Sequence, residues 1–218
     1  VRRCVKGKLR MRDAATNTAL AASVTLERLD KYLVVSGGNL DRALACYERN
    51  MRLSEAFYVP LQSLEIALRN HLNLHLSAVY ETDWLTTTAA PLDPHSRSMI
   101  ADAVAEIDGP VTPGKIVAEL KFAFWVGLVA PRYDASVWRA SAHMAFRSSG
   151  ARSRKQVHGR LNALRRFRNR IAHHEPIFHT DVARVHAEVL EAIGWMCPLT
   201  RAWTEHHSRV PAILAEPI

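Results

Sequence analysis

The run Arg165-Arg166-Phe167-Arg168-Asn169-Arg170-Ile171-Ala172-His173-His174-Glu175-Pro176 places four arginines and two histidines within ten residues, and then reaches a proline. A guanidinium offers phosphate a planar fork of donors. An imidazole takes or gives a proton near neutral pH. Cutting an RNA phosphodiester without a metal needs little more. It takes a base for the 2′-hydroxyl, an acid for the leaving 5′-oxygen, and a cation for the charge that builds on phosphate. A plain helix end uses the same residues, with the histidines offsetting the negative end of the helix dipole.

Spacing does not separate the two readings. With 23 Arg and 11 His in the chain, an arginine followed by a histidine after four to six residues arises by chance roughly three or four times. Arg69 with His75, Arg152 with His158 and Arg201 with His206 also fit the pattern. Context has to decide.

The 218 residues suit one domain, and an apolar fraction of 48% can fill a sizeable core. The formal charge is +8, carried by 23 Arg against 6 Lys. That balance fits a polyanionic partner, with RNA first. An Arg- and Ala-rich composition alone is the bland explanation. Cys4, Cys46 and Cys197 have no paired spacing, which points to reduced thiols and neither a disulfide framework nor a zinc site. No apolar run reaches membrane length, and no apolar signal core follows the basic start. The expectation is a cytoplasmic protein with no membrane partner, no cofactor and no metal.

Apolar residues recur at helical spacing and few alternating runs occur, so the chain reads as an all-α bundle of roughly six to eight helices. Residues 1–22 read as a basic tail, flexible or an arm for nucleic acid, and 23–218 as the helical domain. Helices are expected from Ser23 to Gly37-Gly38, from Asn39 past Met51, and from Leu61 to Tyr80 with a break near Pro60. Others follow from Asp93-Pro94 to about Ile107, from Ile116 to Val129, and from Ser136 to Phe146. The motif helix spans 153–174, and a last long helix starts at Thr180-Asp181 and runs through Trp195. Trp125, beside Phe122 and Phe124, reads as core.

On an ideal helix Val157, Leu161, Leu164, Ile171 and Ala172 share a stripe, and Arg168 falls inside it. Leu61, Leu64, Leu68, Leu72 and Val79 share another, with Glu65 and His75 inside it. A guanidinium and a carboxylate on two inward faces predict that these helices pack and that Glu65 approaches Arg168. His173 follows Arg168 by five residues, about 140° away around the helix. Pro176 disfavours helix at Glu175, so the helix should end near His173 or His174.

The segment Arg168-Asn169-Arg170-Ile171-Ala172-His173-His174-Glu175-Pro176-Ile177-Phe178 resembles the signature of the Abi-like (abortive infection) proteins of the HEPN superfamily. Leu64-Glu65-Ile66-Ala67-Leu68-Arg69-Asn70 resembles that family's long-helix motif. Glu119 to Leu128 resembles its Phe-x-Phe-Trp segment, with Ala123 where glycine is expected. The three occur in the expected order over roughly residues 23 to 200.

The resemblance implies a metal-independent endoribonuclease acting as a toxin in phage defence. It implies two protomers that bring Arg and His together in one composite site. Arg168, Asn169 and His173 take the catalytic positions, with His174 the competing histidine. Glu65, Arg69 and Asn70 would support the site, and Arg165, Arg166 and Arg170 would track the RNA backbone. The expected partners are RNA (tRNA, mRNA or a non-coding RNA), a second copy of the chain, and an antitoxin protein or RNA. The other class is a non-catalytic module of the same fold that binds RNA or an antitoxin without cutting.

Overall fold

Short polar side chains set most of the helix starts. Asp13 Oδ1 accepts from Thr16 N at 2.7 Å, Asn39 Oδ1 from Arg42 N at 3.0 Å and Asp93 Oδ1 from Ser96 N at 2.8 Å. Ser153 and Gln156 form a reciprocal capping box, and Asp181 Oδ1 accepts from Arg184 N at 3.0 Å. The computed structural model describes residues 12–216, and among them eleven α-helices and no strand are found. In order these are α1 (Ala14–Val24), α2 (Leu26–Val35), α3 (Leu40–Ala56), α4 (Tyr58–Tyr80), α5 (Pro94–Ala105) and α6 (Pro113–Glu119). They continue with α7 (Phe122–Gly127), α8 (Arg154–Ala172), α9 (Val182–Met196), α10 (Pro198–His207) and α11 (Val210–Leu214). No helix among the described residues is long and apolar enough to cross a membrane.

The all-α expectation holds, with more and shorter helices than the sequence pattern predicts. Residues 1–11 of the expected tail lie outside the described residues, but its second half is helix α1. That helix packs small side chains, notably the buried Ala21, so it lacks the large-residue stripe that marks a helix in sequence. Thr25 at φ 73° separates α1 from α2.

The single helix expected from Ile116 to Val129 is two, broken at Leu120, whose ψ of 122° is extended. Phe122, Phe124, Trp125, Val126, Leu128 and Val129 are all buried, which a straight helix on one face of a core could not achieve. The break re-aims them, and Trp125 Nε1 donates to the freed Leu120 carbonyl at 3.2 Å. Likewise Ser136 to Phe146 is not one helix. Asp134–Trp138 is a π turn, and Ala142–Phe146 is a 3₁₀ turn.

α4 packs on α9, α10 packs on both, and the main core collects around them. Leu64, Leu68, Leu72 and Leu76 are fully buried along α4, and each stabilises the fold by roughly 1.5–3 kcal/mol. Trp84 and Trp125 meet edge to face in this core, as the sequence reading of Trp125 requires. A second, smaller core belongs to α1–α3, built from Ala21, Leu29, Tyr32, Ala43 and Leu44.

Candidate functional site

Residues of α8 divide by helical phase among three surfaces. Arg168, Ile171 and Ala172 face a groove of about 440 Å³ whose other wall is α4, through Tyr58, Gln62, Glu65 and Arg69. His158, Asn162 and Arg165, spaced as i, i+4 and i+7, face a second hollow of about 260 Å³ shared with α5 and α7. Arg166 and Arg170, four apart, face α9.

Arg168 is exposed, which corrects its assignment to the core stripe. Phe167 takes the inward position, packed edge to face on Phe57 with ring centroids 4.9 Å apart. The stripe therefore runs Val157, Leu161, Leu164, Phe167, one step out of phase with the ideal-helix assignment. The expected packing of α4 on α8 is also corrected: each leans on α9, and the groove opens between them. Glu65 and Arg168 stand on its two walls and form no ion pair, and among the described residues neither has a hydrogen-bonded partner. Val79, placed on the inward stripe of α4, is 51% exposed.

Arg69 lines the groove while its Nη1 donates to the Ala118 carbonyl at 3.2 Å, near the C-terminus of α6 where a cation is favoured. Its buried Nε has no partner. Asn70 is exposed, next to the groove and not in it. His75 is half buried, and its carbonyl accepts from the Ser141 hydroxyl. Burial first, then the nearby His143, pushes the His75 imidazole below its usual range.

The C-terminus of α8 is a Schellman closure. His174 N donates to the Ile171 carbonyl at 2.9 Å, and Glu175 N donates to the Arg170 carbonyl at 2.8 Å. His174 sits at φ 57°, the left-handed position that glycine usually holds. The helix thus ends where Pro176 predicts. Arg170 staples this reversal: its Nη2 donates to the Pro176 carbonyl at 2.7 Å and to His179 Nε2 at 2.6 Å, and its Nε lies 3.5 Å from Glu175 Oε2. These bonds occupy Nη2 of Arg170 and leave it fewer donors for a nucleic-acid backbone. Burial, then Arg170, lowers the His179 pKa, consistent with a neutral ring accepting that bond.

The small core holds the reversal from the other side. Arg28 Nη2 donates to the His174 carbonyl, and Asn50 Oδ1 accepts from the buried Ile177 N at 2.7 Å. The Tyr32 and Phe178 rings pack with centroids 4.9 Å apart.

His173 and His174 are exposed at this cap, and neither lines the groove that Arg168 faces. His173 keeps a near-helical backbone (φ −90°, ψ 11°), so its side chain stays about 140° around the axis from Arg168. Asn169 follows Arg165 by one turn and lies on that flank. One chain therefore presents the arginine and the histidine at the same helix end but on different sides.

The second hollow was missed in the sequence, although His158, Asn162, Arg165 and Asn169 already form a polar stripe at i, i+4, i+7 and i+11. Its other basic residues, His95 and Arg132, come from distant segments that no local pattern connects. No family model matches the chain, nor does any curated protein or solved structure.

Proposed function

We propose that the chain is a metal-independent endoribonuclease of the Abi-like, HEPN type, a toxin of phage defence whose active site is completed by a second copy. The observation that carries this reading is the state of Arg168. Among the described residues it is an unpaired guanidinium, facing an open groove one turn before a helix cap that exposes two histidines. Among the described residues nine other arginines, including Arg12, Arg154 and Arg170, are engaged in ion pairs.

The divergence of Arg168 and His173 around α8 favours a site completed by a partner. A second protomer supplies its own histidine opposite this Arg168. An exposed row on α4 suits such a contact: Tyr58, Ile66 and Leu74 alternate with Gln62 and Asn70 at four-residue steps beside the groove. In the composite site one His173 takes the 2′-hydroxyl proton and its counterpart protonates the 5′-oxygen, leaving a 2′,3′-cyclic phosphate. Arg168 stabilises the phosphorane charge. Asn169, on the neighbouring flank, orients the strand.

The test is incubation of purified protein with total RNA and tRNA, with and without EDTA, beside Arg168→Ala, His173→Ala and His174→Ala. Cleavage should survive EDTA, spare DNA, and fall by at least about 100-fold in Arg168→Ala and in one histidine variant. Equal cleavage by all three variants would overturn the assignment. The same apolar row also favours a second reading, a non-cutting module that docks an antitoxin; RNA retention without cleavage would support it.

A further inference from the structure

The hollow between α5, α7 and α8 brings basic side chains together from three separate segments. Arg165 comes from α8, Arg132 from the turn after α7, His158 from α8 and His95 from the first turn of α5. Asn162 Oδ1 accepts from Arg165 Nε at 3.2 Å and Nη2 at 3.0 Å, which holds the guanidinium plane while leaving donors free. Arg132 Nε is held at 2.7 Å by Asp93 Oδ2, which again fixes one edge of the fork and leaves the other. Neither imidazole has a hydrogen-bonded partner among the described residues.

Burial first, then Arg154, Arg132 and Arg165, push the His158 pKa below its ordinary value, which registers how closely the cations converge. Gly127 lines the hollow beside Arg132, and a Cβ there would make an ordinary contact, 3.6 Å from Arg132 Nη2. The opposite wall is apolar, formed by Met99 and Phe124.

We propose that this hollow binds a phosphate monoester, with Arg132 and Arg165 as charge partners and His95 and His158 as donors to its oxygens. Two oriented guanidinium forks match a tetrahedral oxyanion better than a carboxylate, and the imidazoles supply the further donors a dianion accepts. At about 260 Å³ the space lies below the range typical of drug-sized ligands, so it admits a phosphoryl group with a sugar-sized attachment and not a folded strand. The same chemistry is offered by a free nucleoside monophosphate and by the 5′ end of an RNA. The site lies on the flank of α8 away from the Arg168 groove and does not rest on the cleavage reading.

The experiment is titration of the full chain with inorganic phosphate, adenosine 5′-monophosphate, and a hexaribonucleotide with and without a 5′-phosphate, followed by calorimetry and by the His95 and His158 ring resonances. Adenosine monophosphate or the 5′-phosphorylated strand should bind saturably and shift both rings. Arg165→Ala and Arg132→Ala should each weaken binding at least about tenfold, and Arg165→Lys less. Arg147→Ala, which removes an exposed charge elsewhere, should leave binding within about twofold. Tighter binding of the phosphorylated strand than of the mononucleotide identifies an RNA end as the source; equal binding identifies a free nucleotide. No saturable binding of either would overturn the proposal. So would binding that does not distinguish the 5′-phosphate from the 5′-hydroxyl, or equal losses from Arg147→Ala. Arg132 is exposed, so its variant keeps the test valid if Arg165→Ala fails to fold.

Discussion

His174 occupies a left-handed backbone position that costs a side chain about 1–2 kcal/mol, although histidine is among the residues that tolerate it best. His174→Gly should therefore raise thermal stability, by up to about 1 kcal/mol. If cleavage also survives in that variant, His173 is the working histidine. Loss of activity together with higher stability would assign the chemistry to His174. Asn50 gives the opposite case. It is the hydrogen-bond partner of the buried Ile177 amide, so Asn50→Ala should cost about 1–3 kcal/mol in urea unfolding. At this scale the sequence was legible in residue type and helix boundary, and misleading in direction. Arg168 and Phe167 are neighbours, and an ideal period accumulated from Val157 is one residue out by their position. The larger apolar ring took the core.

At the scale of elements, the capping residues Asn39, Asp93 and Asp181 and the stop before Pro176 were readable because each acts over three or four residues. The break at Leu120 was not. Its cause is tertiary, since the apolar residues from Phe122 onward need a second orientation to reach one core. The charged staple of the reversal after α8 was also hidden, because Arg170, Glu175 and His179 meet only once the chain has turned. Arg170→Ala should remove two hydrogen bonds and an ion pair and destabilise the protein by roughly 1–3 kcal/mol, with RNA affinity changed less than by Arg168→Ala. A larger affinity loss in Arg170→Ala than in Arg168→Ala, at equal folded fraction, would restore Arg170 as a backbone contact.

Across the whole molecule, burial is the largest influence on five histidines, His71, His75, His158, His179 and His186, and it lowers each pKa. A group whose pKa is lower folded than unfolded opposes folding when it is protonated. Stability should be full above pH 6.5 and decline as pH falls from 6.5 towards the lowered folded values. Thermal melts between pH 7.5 and 5 should show this decline. His186→Gln should flatten it, because that ring is buried against Phe57 and bonded to Ser208 at 2.8 Å. A melting temperature flat over that range would contradict the burial assigned to these rings. The total of 29 Lys and Arg overstates the free cationic groups, since many arginines are internally paired, whereas the net charge of +8 already subtracts the acids. With two to four phosphate contacts, log affinity for single-stranded RNA should fall against log salt with a slope of about −1.4 to −2.8.

The reversal after α8 carries its anchors on α2 and α3, through Arg28, Tyr32 and Asn50. In terms of native-state fluctuations, Asn50 ties the Ile177 amide to α3 while the Ile177 side chain is buried in the main core, so this segment links the two cores. Hydrogen exchange of the Ile177 amide should be slow, and Asn50→Ala should speed it more than that of amides near Leu161. The histidines at the cap are held from both sides, by the Schellman bonds and Arg170 of α8 and by Arg28 and Asn50 of the smaller unit. A local opening of α1–α3 removes one of those two holds and leaves the other.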